Sequence, residues 1–314
     1  MTGPHPVDHR ELLQGRGRLV EELPGGPSLW PAVSLAVFFT GWLVAVGLVF
    51  AAGRAPEQLP WMEWVFPLLA CLAALAALSH RLPLQNVVAI GALLLLFSAA
   101  IVGCGAASGI PFGMIHFTDR LGPKLFGKLP LAMPLWWVAI LVTSRETARL
   151  ILQPWRRKRY YGFRIMGLAA LLAVVVDLSL EPFAVSLKQY WIWQTTEHTL
   201  CWYSAPWANF VGWSASTVVL LGFCSPWFIR KHPWHPPSRF QAAIVWGLLN
   251  LYFVAGNALR SEWLAVMAGG GMSALALFMA WRGYECDPNQ SVTPSVPSRA
   301  DTPGPIASPP RHRP

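Results

Sequence analysis

Residues 165–187 read IMGLAALLAVVVDLSLEPFAVSL. About 20 apolar residues let a helix cross the hydrocarbon of a bilayer. This run is long enough, and its only charged residues are Asp177 and Glu181. Similar stretches recur on both sides of it: Leu29–Ala52, Trp61–Ser79, Leu84–Ala107, Leu129–Leu150, Ala205–Ile229, Phe240–Ala258 and Glu262–Trp281. Across all 314 residues, 54% are hydrophobic and 12% charged, about half the charged share of a soluble domain. The expected fold is all-α: a polytopic transmembrane helix bundle of about eight spans, residues 28–283, with no large soluble domain.

The ends differ in composition. Residues 1–27 contain Asp8, Glu11, Glu21 and Glu22 and no apolar core of signal-peptide length, so they are expected to form a disordered cytoplasmic arm. Residues 284–314 are rich in Pro, Ser and Arg and are expected to form a disordered tail. If both ends are inside, the inner segments hold 18 of the 24 Lys and Arg residues, with the cluster Arg156-Arg157-Lys158-Arg159 as the strongest signal. The positive-inside rule then favours N-in and C-in, in the cell's inner (cytoplasmic) membrane. A net charge of +9 in so apolar a chain points to basic loops against anionic lipid, not to nucleic acid. Five scattered cysteines with no CxxC pair suggest neither a disulfide framework nor a zinc site.

Ionisable residues inside spans mark functional sites, because burial there is costly. Asp177 lies deep in its span and Glu181 follows at i+4, so both carboxyls share one helix face. They repel each other and both lose water, so one can stay protonated at neutral pH. Pro182 then weakens the helix and frees backbone carbonyls. A structural reading is also open, with Glu181 at the interface and Asp177 paired with a buried donor such as Asn250.

Two connectors are unusual. Residues 188–203 contain Tyr190-Trp191-Ile192-Trp193, Glu197, His198, Trp202 and Tyr203. An interfacial aromatic belt explains some of these rings; a pocket whose ring faces stabilise a cation is the functional alternative. Residues 109–128 carry His116, Asp119 and Arg120 among glycines and prolines, which suits a tightly turned, buried loop. On this topology both connectors lie at the outer face and are expected to fold over or into the bundle, where covered non-helical backbone is tolerated. Weaker signals are discounted: His232 and His235 as a metal pair, Asn250 as anything beyond interhelical glue, and Gly269-Gly270-Gly271 as anything beyond close helix packing.

Three blocks carry a resemblance. They are Phe112-Gly113 through Thr118-Asp119-Arg120-Leu121-Gly122-Pro123-Lys124-Leu125-Phe126-Gly127; Asp177-xxx-Glu181-Pro182 through Tyr190-Trp191-Ile192-Trp193; and Tyr203-xx-Pro206-xx-Asn209-Phe210-xx-Trp213. From about Phe66 to Trp281 the chain resembles the membrane carotenoid biosynthesis family that contains bacterioruberin-type and γ-carotene-type carotenoid hydratases. It departs from the family pattern at Ile115 and Phe117, where Tyr is common, and at Ser204-Ala205 in place of Gly-Val.

The resemblance implies a carotenoid substrate and a hydratase (a hydro-lyase), which adds water to the terminal isoprenoid double bond of an acyclic end group. No metal or organic cofactor is required. Asp177 is the expected acid, with Glu181 or Asp119 positioning water and His116 a further catalytic candidate. Tyr190, Trp191 and Trp193 are expected to face the cation. Phe112, Tyr203, Asn209 and Trp213, from the matching blocks, are expected to contact substrate. Expected partners are the bilayer and downstream carotenoid enzymes such as a glycosyltransferase. Two other classes remain open: a non-catalytic carotenoid- or lipid-binding or transport protein, and a membrane prenyltransferase, which needs a second acidic motif absent from the sequence.

Overall fold

The computed structural model describes residues 29–51, 61–229 and 239–287. The arm at 1–27, the tail beyond Asp287 and the His232/His235 pair lie outside the described residues. Among the described residues, eight helices form a bundle: α1 Trp30–Ala51, α2 Met62–Leu78, α3 Leu84–Ser108, α4 Ala132–Ile151, α5 Tyr161–Pro182, α6 Trp207–Phe228, α7 Gln241–Leu259 and α8 Trp263–Glu285. Each falls on one of the apolar stretches read from the sequence. Helix α8 runs past Tyr284 and Asp287 is buried, so ordered structure extends into the stretch expected to be tail.

Six of the eight are long and apolar enough to cross a membrane: α1, α3, α5 with its extension to Lys188, α6, α7 and α8. Helix α2 is apolar but only 17 residues long. Helix α4 differs for a physical reason. It packs against α2, α3, α5, α7 and α8, and every residue in it except Leu135, Arg145 and Arg149 is buried. A helix wrapped by other helices need not be apolar on a lipid face, so it can carry charges near its end. There Arg81, Arg145 and Arg149 converge on the buried carboxylate of Glu146, with Arg81 Nη1 at 2.7 Å and Arg149 Nε at 2.9 Å. Arg81 comes from the short turn joining α2 to α3.

Of the three glycines read as a packing site, Gly269 is tightly packed, whereas a Cβ on Gly270 makes only an ordinary contact and one on Gly271 meets nothing within 4 Å; Gly283 is a second tight position. A Cβ on Gly269 would stand 1.7 Å from Ser179 Oγ, and one on Gly283 would stand 1.9 Å from the Leu150 carbonyl oxygen. Asn250 is a correction: its Nδ2 donates to Trp246 O in its own helix at 2.9 Å, not across to a neighbour. Asn257, in the same helix, does bond across to a neighbour, its Nδ2 donating to Ser179 O of α5 at 2.8 Å.

Pro182 does not end α5 abruptly. The chain widens into a π-helical turn, Phe183–Lys188. Without an N–H, Pro182 leaves the Leu178 carbonyl lacking its helical donor, and Trp202 Nε1 supplies one at 3.0 Å. The N–H of Phe183 bonds Leu180 O, which leaves Ser179 O to Asn257. Polar side chains from elsewhere thus satisfy the freed carbonyls, as burial in a bundle demands.

The two unusual connectors meet. β1 (Ile115–Phe117) pairs antiparallel with β4 (Trp191–Trp193), in the register Ile115↔Trp193 and Phe117↔Trp191. Smaller ribbons flank this pair: β2 (Lys124–Leu125) with β3 (Leu129–Pro130), and β5 (Cys201–Trp202) with β6 (Ala205–Pro206).

Candidate active site

Alternate residues of a strand share a face, so the β1–β4 ribbon turns Ile115, Phe117, Trp191 and Trp193 to one side. Beneath it lies a small cavity walled by these four residues, Phe112, Val102 of α3, Met133 and Trp137 of α4, Asp177 and Glu181 of α5, and Asn209 and Trp213 of α6. Trp137 and Trp213 are stacked, with ring centroids 4.1 Å apart and planes at 14°. Phe112 meets Trp137 edge-on at 5.8 Å. Its ring is wedged between two helices because both offer glycine there: a Cβ on Gly105 or on Gly212 would lie 2.7 Å from a ring carbon.

Asp177 and Glu181 are 1% and 3% exposed and sit one turn apart. Asn209 stands between them, with Nδ2 2.7 Å from Asp177 Oδ2 and 2.9 Å from Glu181 Oε1. Glu181 Oε2 accepts Trp193 Nε1 at 2.9 Å and Trp191 Nε1 at 3.1 Å. Three N–H contacts therefore surround Glu181. Asp177 has one, and its Oδ1 is buried with no hydrogen-bond partner among the described residues. No lysine or arginine is among the residues that wall the cavity. The donor sets thus distinguish two otherwise similar acids: an ionised carboxylate accepts only, whereas a protonated one has an O–H of its own to place.

Of the candidates read from the sequence, Asp177, Glu181, Trp191, Trp193, Asn209, Trp213 and Phe112 come together at this cavity. Four others do not. His116 is exposed on the opposite face of the ribbon from the cavity. Asp119 is fully exposed and pairs with Lys124 Nζ at 2.8 Å; that hydrogen bond and charge hold its carboxyl below the usual range. Tyr190 is buried, with its hydroxyl donating to Glu63 Oε2; burial and the Glu63 carboxylate push its phenol well above the ordinary value. Tyr203, at φ 53°, has its hydroxyl 3.2 Å from the Ala265 N–H. Neither Tyr190 nor Tyr203 walls the cavity. Asp177 pairs with Asn209, not with Asn250.

Trp137, Met133 and Val102 lie within runs where nothing separates a cavity wall from a core residue, so sequence reasoning missed them. Ile115 and Phe117, singled out above as departures from a family pattern, both wall the cavity. Among the described residues, no group of three or more His, Cys, Asp or Glu side chains is placed to hold a metal ion.

The family model described as "Carotenoid biosynthesis protein" matches residues 62–276, which span every residue of the cavity. The bisanhydrobacterioruberin hydratase of Haloarcula japonica is 27% identical over 232 residues, covering 70% of this chain and 69% of that protein. No solved structure matches. With the match spanning more than half of the chain and the entire site, the chain belongs to the carotenoid biosynthesis protein family.

Proposed function

We propose that the protein is a carotenoid hydratase, adding water to the terminal double bond of an acyclic end group. The carrying observation is the asymmetry of the two acids: Glu181 ringed by three N–H contacts, Asp177 with a buried oxygen free of partners. Asp177 is the protonated acid. Its O–H bond breaks as the proton joins the less substituted =CH– carbon of the alkene, and the π pair forms the new C–H bond. Positive charge then rests on the tertiary carbon. The indole faces around the cavity stabilise that charge.

Glu181, ionised and fixed by its donors, orients a water molecule. Water oxygen bonds the tertiary carbon while its proton passes to Glu181. Return of that proton to Asp177, one helical turn away, resets the pair. The net change is the addition of H and OH, and the sequence of steps calls on no metal or organic cofactor.

The cavity is small and lined mainly by apolar side chains around the two acids, which suits a single end group of a carotenoid with the polyene extending beyond it toward lipid. The relative's printed name, a hydratase, favours the same chemistry. The placement consistent with the Lys and Arg distribution is eight spans with both ends inside, in the cytoplasmic membrane. The ribbon and its acids then sit toward the outer face, and a tertiary alcohol leaves the site as a substrate for later enzymes such as a glycosyltransferase.

Expression in a lycopene-producing host tests the reading. Conversion to products heavier by one or two waters, seen by chromatography and mass spectrometry, is expected. Unchanged carotenoid retained on the purified protein would instead identify a binding protein.

A further inference from the structure

Glu63 lies in the first turn of α2, is 7% exposed, and lines no part of the cavity. Each of its oxygens has a partner on the segment leading into β4. Lys188 Nζ is 2.8 Å from Oε1, and the Tyr190 hydroxyl donates to Oε2. Both partners are buried. Between them the backbone reverses at Gln189, which adopts φ 53° and ψ 44°, a left-handed conformation that a non-glycine residue occupies at a cost. The backbone N–H of Tyr190 bonds Ala184 O at 2.9 Å, and Tyr190 O accepts the Thr118 N–H at 2.9 Å. The next residue is Trp191, and Trp193 follows on the same face.

We infer that Glu63 is a positioning residue for the cavity. It clamps the reversal at residues 188–190, so that Trp191 and Trp193 emerge with both indole N–H groups aimed at Glu181. The chemistry argues against simple packing. A carboxylate and an ammonium lose hydration on burial, and that cost is offset only when geometry and hydrogen bonding are good. Apolar residues would fill the same space with less penalty. The ion pair fixes direction, because Lys188 ends the π-helical turn and Tyr190 begins the ribbon. One carboxylate on α2 therefore sets where α5 stops and where β4 starts. A one-residue change in that register would turn Ile192, in place of Trp191 and Trp193, toward Glu181.

This inference rests on the hydratase reading for its link to turnover, so its test also has a readout that does not depend on turnover. Removing Glu63 alone strands the Lys188 charge and risks misfolding. The variant is therefore the double substitution Glu63→Leu with Lys188→Met, studied beside Tyr190→Phe in the full-length protein in lipid nanodiscs. Hydrogen exchange of the backbone over residues 189–194 and steady-state turnover of a carotenoid are measured together. In the double variant, ribbon exchange is expected to quicken about tenfold or more, the scale of losing hydrogen bonds to a charged group. Helix α4 should stay protected. The kcat is expected to fall about tenfold or more with KM within about threefold, because the loss concerns groups acting in the transition state. Tyr190→Phe, which leaves the ion pair, should recover most of both.

Unchanged ribbon protection overturns the inference, and so does a loosened ribbon with normal kcat. A wild-type protein that adds no water to any carotenoid defeats the hydratase reading by itself, while ribbon exchange still decides whether Glu63 holds the ribbon.

Discussion

Trp193 and Glu181 are twelve residues apart in the chain, and Trp193 Nε1 lies 2.9 Å from Glu181 Oε2. A loop that resembles an interfacial aromatic belt in sequence is thus bonded to an acid inside the helix bundle. Trp191 and Trp193 each direct an N–H to the carboxylate and also line the cavity. These two roles can be separated by mutation.

Trp193→Phe keeps a ring and removes one donor. A hydrogen bond to a charged group contributes about 1.5–3 kcal/mol, so kcat should fall roughly 10- to 100-fold with little change in carotenoid retention. Trp193→Ala removes ring and donor together and should reduce turnover further. Co-purified carotenoid, measured by absorbance, and product formation, measured by chromatography, separate the two effects. Equal losses of retention and turnover in both variants would point to packing alone.

Asn209→Leu leaves Asp177 Oδ2 without its one donor and removes one of three from Glu181. Two buried acids then face each other with no amide between them. Turnover is expected to fall about 100-fold or more, as for loss of two charge-assisted bonds. Asn209→Asp adds a third carboxyl and should be at least as damaging. Near-normal turnover in Asn209→Leu would show that the amide has no part in the chemistry.

Gly212→Ala and Gly105→Ala each place a Cβ 2.7 Å from the Phe112 ring. The ring must shift, at a cost of about 1–3 kcal/mol for overpacking, and with it the cavity wall. Lower thermal stability in detergent and lower turnover are expected from both. Gly47→Ala, where a Cβ meets nothing within 4 Å, is the control and should change neither.

Much of the fold was legible because apolar runs of bilayer length are a strong signal. Asp177, Glu181 and Pro182 stood out for the same reason, as polar or helix-breaking residues where such residues are costly. The role of α4 was not legible. Its burial by other helices, rather than by lipid, is a tertiary fact, and its Arg145–Glu146–Arg149 end gave no hint of that. The ribbon pairing of Ile115–Phe117 with Trp191–Trp193 was legible only as two odd connectors, because strand pairing across so many residues leaves no local pattern. That His116 lies away from the cavity was hidden for a related reason. A three-residue strand alternates its faces, and the register that turned His116 outward is set by its partner. Glu63 was invisible because a single acid at a helix start also suits an ordinary exposed first turn.

The most direct test of the central claim is turnover by Asp177→Asn. The substitution keeps size and an acceptor but has no carboxyl proton to give. The account expects a protein that inserts, folds and retains carotenoid, with no hydrated product by mass spectrometry. Hydroxylated carotenoid formed at the wild-type rate would contradict it, because the proton would then have to come from another group.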